Sequence, residues 1–96
     1  MKKNNRFNVK FHIDESGSEH VRKFLMELNE EDRKIVARDI KAIQLKWPTN
    51  PTIARPLGDN KWEIKSNLKN KVVHIIFYTH GDNIVLEDAI VKPVKK

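Results

Sequence analysis

Cysteine is absent from all 96 residues, which rules out a disulfide framework, a thiolate zinc site and a cysteine nucleophile together. Glycine is scarce at three residues, and Gly58 and Gly81 stand alone, so no glycine-rich phosphate loop exists. The sequence holds neither a serine elbow nor a nucleotide-binding fingerprint. The four histidines, His12, His20, His74 and His80, are scattered, and none has the short spacing to a carboxylate that ligates metal. Long apolar runs are missing too: no window approaches the ~18 consecutive apolar residues that cross a bilayer. Met1-Lys2-Lys3-Asn4-Asn5 leads directly into a strand pattern, with no apolar segment or cleavage site of a signal peptide. These absences lead us to expect a cytoplasmic protein with no metal, no cofactor and no membrane contact.

Charge is plentiful. One residue in three is Asp, Glu, Lys or Arg, and the formal net charge is +6. Eleven basic residues face eight acidic ones before Pro48, and eight face five after it, so the excess belongs to the whole chain and not to a tail. A basic surface of this kind suits a polyanion or an acidic protein, though mixed charge also serves solubility alone. At this length one domain spanning 1–96 with a single modest core is expected.

The patterning gives the order of elements. Phe7, Val9, Phe11 and Ile13 alternate with polar residues, the period of a strand with one buried face. Asp14 to Ser18 is a turn, and either Ser16 or Ser18 could cap the following helix; Ser16 has Glu19 three residues on, as a capping box requires. Val21, Phe24, Leu25 and Leu28 recur at helical spacing. Asn29 is the next N-cap, ahead of Glu30, Glu31 and Asp32, and an apolar stripe runs from Ile35 through Val36, Ile40 and Ile43 until Pro48 stops it. Pro48 to Asn60, with three prolines, reads as an irregular connection. Strands follow from Lys61, from Val72 to Thr79 and from Ile84 to Val91, with turns at Asn67-Leu68-Lys69-Asn70 and His80-Gly81-Asp82-Asn83. The fold class is α+β, in the order β-α-α-β-β-β: a small, mainly antiparallel sheet with a helical hairpin on one face and the other face open.

Three stretches carry a resemblance. They are Asp14-Glu15-Ser16-Gly17 leading into Val21-Arg22-Lys23-Phe24-Leu25, the run Leu57-Gly58-Asp59-Asn60-Lys61-Trp62-Glu63-Ile64-Lys65, and His80-Gly81-Asp82-Asn83-Ile84-Val85-Leu86. Their shared order resembles the phage-derived branch of the RelE/HigB superfamily, the toxins of type II toxin-antitoxin systems. The resemblance implies a RelE-like fold and a ribosome-dependent endoribonuclease that cuts mRNA and inhibits translation. It also implies metal-independent attack by the RNA 2′-hydroxyl on the adjacent phosphate. The partners implied are the ribosome, mRNA and a cognate antitoxin, of helix-turn-helix type. Relatives usually carry arginine where this chain has Lys65 and His74, and they commonly continue into a further short helix beyond the position of Lys96.

Cleavage of that kind needs a base near the 2′-oxygen, cations at the phosphate and an acid for the leaving oxygen. Lys65 and His74, if paired across adjacent strands, come within about 5 Å of each other. Lys65 would hold the phosphate, and His74 would exchange the proton, as imidazole does near neutral pH. Taken singly, Lys65 is also an ordinary solvated lysine and His74 an ordinary strand histidine. Glu63 is either the base or an ion-pair partner of Lys61 or Lys65. Arg55, Lys61, Lys69, Lys71 and Lys92 are candidate RNA-backbone contacts, and Tyr78 either stacks on a base or packs in the sheet. Trp47 and Trp62 read as packing anchors. Two other readings share this pattern: a catalytically weakened RNA- or ribosome-binding module, and a protein-interaction domain.

Overall fold

The computed structural model describes residues 7–47 and 54–94. Residues 1–6, 48–53 and 95–96 lie outside the described residues, and with them the expectations for Pro48, Pro51 and the last two lysines. Among the described residues are two helices and five strands: β1 (Asn8–Phe11), α1 (His20–Glu27), α2 (Glu30–Lys46), β2 (Ala54–Gly58), β3 (Lys61–Asn67), β4 (Lys71–His80) and β5 (Asn83–Pro93). They form one sheet in the order β1-β5-β4-β3-β2. The sheet is mostly antiparallel; β1 alone runs parallel to its neighbour, pairing Val9 with Ile84 and Phe11 with Leu86. A parallel neighbour needs a long crossover, and the two helices supply it. Neither helix is long and apolar enough to cross a membrane.

Strand β2 corrects the expectation of an irregular connection from Pro48 to Asn60. It pairs antiparallel with β3, Ala54 opposite Ile64 and Arg55 opposite Glu63, with a register shift between Pro56 and Gly58. An edge strand hydrogen-bonds on one side only, so Pro56 can lack an N–H toward solvent without breaking the ladder. Gly58, Asp59 and Asn60 all have positive φ and make the turn into β3. Proline content therefore marked an edge, where it had been read as a loop.

The turn before α1 also differs from expectation. The N-cap of α1 is Glu19, which makes no side-chain cap. Instead the Asp14 carboxylate accepts from the backbone N–H of Ser16 and Ser18, both at 2.9 Å, and from the Ser16 hydroxyl at 2.8 Å. An aspartate two residues back competes for the same donors as a capping serine, and its charge makes it the stronger acceptor. These bonds, led by that from Ser18, hold the Asp14 carboxyl below its ordinary value.

Asn29 caps α2 as expected, its Oδ1 accepting from the Asp32 N–H at 2.8 Å, with Glu30, Glu31 and Asp32 in the first turn. One turn on, Arg33 reaches back to α1, donating from Nε to the Leu25 carbonyl (3.0 Å) and from Nη2 to that of Leu28 (2.8 Å). It thereby satisfies carbonyls that the end of a helix leaves free, and ties the start of α2 to the end of α1.

The two apolar stripes meet one face of the sheet. Val21, Leu28, Val36, Ile40 and Ile43 pack with Ile64, Val73, Ile75, Phe77, Ile84 and Leu86 in a single core. Trp47, at the end of α2, packs edge-on against Trp62 at 4.8 Å and Phe77 at 5.3 Å between ring centroids. Both tryptophans are packing anchors, as read. Because strand side chains alternate, every residue between these inward positions is sent to the other face.

Candidate functional site

That other face has no covering layer among the described residues, and the register shows what it carries. Lys65 is directly opposite His74 on β3 and β4; one step along, Glu63 is opposite Ile76, and next Lys61 is opposite Tyr78. On the outer strands, Arg55 faces Glu63, Ile90 faces His74, Val85 faces Tyr78, Lys92 faces Val72 and Lys10 faces Val85. The face therefore has an apolar middle of Val72, Ile76, Val85 and Ile90, crossed by His74 and Tyr78 and bordered by cations.

Glu63 organises the centre. Its Oε1 accepts from Arg55 Nη2 at 2.9 Å, and its Oε2 lies 3.1 Å from His74 Nδ1. The Glu63 and His74 side chains are only 13% and 14% exposed, whereas Arg55 is 69% exposed. The approach to His74 is close but off the direction of a hydrogen bond, so Nδ1 is buried without an aligned partner. With Nδ1 turned to the carboxylate, Nε2 is the ring nitrogen left for a ligand. The carboxylate lies beside the ring without an aligned hydrogen bond to it.

The ion-pair partner of Glu63 is Arg55, with the His74 ring close by, and not Lys61 or Lys65. Lys61 pairs instead with Glu87, Nζ to Oε1 at 2.8 Å. Glu87 is the extra residue of a β-bulge: Ile76 faces Asp88 and Phe77 faces Leu86, leaving Glu87 with no opposite number. Donation to Glu87, reinforced by its charge, raises the Lys61 amine above the ordinary 10.5. A raised value means that, while Glu87 is ionised, the pair's contribution is fully present below 10.5 and is lost as pH climbs through the higher folded value. NMR titration of the Lys61 side chain should give a midpoint above 10.5. Glu87→Gln should return it toward that value; an unchanged midpoint would remove the pair.

Among the described residues, no carboxylate lies within ion-pairing distance of Lys10, Lys65 or Lys92. All three are exposed. Lys69 and Lys71 lie away from the open face: they line a hollow with Asn29, Glu31, Asp32 and Ile35 at the start of α2, and Lys71 shares its side of β4 with Val73. Tyr78 does lie there, half-buried, its hydroxyl 3.3 Å from His12 Nδ1. His12 and Lys10 were missed as site residues: their position depends on β1 lying parallel against β5, which no local pattern in the sequence encodes.

Also unforeseen was Ser66, fully buried, whose hydroxyl donates to Asp39 Oδ2 on α2 at 2.7 Å and ties that helix to β3 beside Lys65. No three His, Asp or Glu side chains among the described residues are grouped to share a metal ion.

Chemically, the centre offers an imidazole, flanked by a carboxylate, beside an unpaired ammonium. That combination can move a proton and hold an anion at one place. In comparisons with known proteins, no family model matches the chain, and neither a curated protein nor a solved structure is significantly similar to it.

Proposed function

We propose that this chain is a RelE/HigB-type endoribonuclease, the toxin of a type II toxin-antitoxin pair, which cuts mRNA on the ribosome in the cytoplasm. The observation that carries the reading is the direct pairing of Lys65 with His74 on an uncovered, cation-bordered sheet face, with Glu63 3.1 Å behind the imidazole. The sequence resemblance and the β-α-α order ahead of the β3–β5 meander support the RelE-like assignment; the edge strand β2 is an addition to the expected topology.

In this reading His74 Nε2 takes the proton of an RNA 2′-hydroxyl. The 2′-oxygen attacks the adjacent phosphorus, a new O–P bond forms, and the bond to the 5′-oxygen breaks. Water protonates the departing oxygen, leaving a 2′,3′-cyclic phosphate and a 5′-hydroxyl. The Lys65 ammonium sits where negative charge accumulates on the phosphoryl oxygens and favours the transition state over the ground state. Glu63, held by Arg55, keeps the ring in the productive tautomer. Lys61 and Lys92 lie on the same face and guide the backbone. A cognate antitoxin, of helix-turn-helix type, restrains the activity by binding the protein.

The test is to add purified protein to ribosomes programmed with a defined mRNA and to map the new ends. Cyclic-phosphate ends, abolished when a 2′-deoxynucleotide precedes the cut, are the expected result. RNA that binds with a steep dependence on salt yet stays intact would replace this reading with an RNA-binding module on the same fold. If there is no effect on RNA but a small protein partner is captured, the chain is an interaction domain.

A further inference from the structure

Tyr78 and His12 stand apart from the imidazole–lysine centre. Their rings meet edge to face, centroids 6.3 Å apart at 72°, and the hydroxyl-to-Nδ1 contact of 3.3 Å closes the arrangement. They do not belong to the aromatic packing of the core, where Trp47, Trp62 and Phe77 lie on the opposite face. Nothing described covers them. Two cations lie in the same row across the sheet: Lys61, directly opposite Tyr78 and paired with Glu87 at 2.8 Å, and Lys10, opposite Val85, the next residue over. Lys10 has no acidic partner among the described residues.

We propose that Tyr78 and His12 form a stacking subsite for one unpaired RNA base, separate from the cleaved linkage, with Lys10 and Lys61 beside it for the backbone. The proposal rests on the RNA reading above and adds to it a second point of contact. An aromatic ring on an open sheet face, flanked by ammonium groups, is the arrangement that holds single-stranded nucleic acid, because every base has a π-face and every linkage a charge. The contact with His12 fixes the tyrosine ring before a base arrives, so little ordering remains to oppose binding.

Tyr78 is four residues along β4 from His74, about 13 Å at strand spacing. This is too far for the base of the reacting nucleotide itself and within reach of a near neighbour in the same strand. The substrate must therefore extend beyond the two nucleotides that flank the cut. It must also be unpaired at the stacked position, because a base inside a duplex is already stacked on its neighbours.

The experiment uses short single-stranded RNAs blocked against cleavage by 2′-O-methyl groups, each with 2-aminopurine at a different position, titrated with the full chain. Quenching should appear at one position. Tyr78→Phe should keep both quenching and affinity within about threefold, since base–aromatic stacking needs the ring and not the hydroxyl. Tyr78→Leu, which keeps apolar cover over Val85 and Ile76 but cannot stack, should lose the quenching and weaken binding by roughly 5- to 100-fold. His12→Ala should fall between them. Melting curves on each variant confirm that the fold persists. A Tyr78→Leu protein that binds and quenches like the parent overturns the subsite and leaves the cleavage reading intact; a parent protein that binds none of the RNAs, free or on ribosomes, overturns both.

Discussion

His74→Ala is expected to lower the rate of RNA cleavage by roughly 100- to 10,000-fold, the usual loss when a positioned proton-transfer group is removed. The fold should survive. His74 lies on the uncovered face, and its neighbours across the sheet, Lys65 and Ile90, are exposed, so truncation opens no sealed cavity. In cells, induction of the parent chain should arrest growth and translation, and the variant should relieve the arrest. Lys65→Ala should relieve it too, through loss of phosphate binding as well as of rate. Single-turnover cleavage on programmed ribosomes separates the two, because a lost proton-transfer group lowers kcat alone, whereas a lost phosphate contact also raises KM. Full toxicity in both variants would discard this site.

The Arg55–Glu63–His74 chain gives this prediction a graded form. Glu63→Gln keeps the shape but removes the charge that orients the imidazole. It should cut kcat by less than loss of His74 itself, with KM little changed. Were Glu63 the base, as one reading of the sequence allows, the order of the two effects would be reversed.

The centre of the site could be read from the sequence because two local rules fix it. Alternation of Val73, Ile75 and Phe77 sets which way His74 points, and the short Asn67 to Asn70 loop sets the register that brings Lys65 opposite. The partners of Glu63 could not be read, since Arg55 arrives on β2, a strand whose proline disguised it. The side of the sheet that Lys71 takes follows from its parity with Val73, which the alternation of β4 makes readable. His12 and Lys10 depend on how β5, with both helices and three strands intervening, comes back to lie against β1, a tertiary fact with no local signature. The bulge that frees Glu87 for Lys61 is equally silent, because nothing in Leu86-Glu87-Asp88 departs from ordinary strand composition.

Phe77→Ala should be the most damaging single truncation of the core. Phe77 has no exposed surface and is the largest of the fully buried side chains. It lies between Trp62 and Leu86 on the neighbouring strands, with Trp47 of the helical layer 5.3 Å away. Replacing a buried phenylalanine by alanine costs about 3–5 kcal/mol, part of it lost transfer energy and part the cavity that remains. A domain of this kind is stable by only about 5–15 kcal/mol, so roughly a fifth or more of the margin is at stake. At about 4–8 °C per kcal/mol, Tm should fall by roughly 15–30 °C, and urea melts should shift to a lower midpoint with an unchanged slope. The measurement also tests the site, because Phe77 and His74 occupy opposite faces of the same strand. A one-residue slip in register would turn Phe77 outward and His74 into the core. In that case Phe77→Ala would cost under about 1 kcal/mol, as surface changes do, and the cationic face built on Lys65 and His74 would not exist.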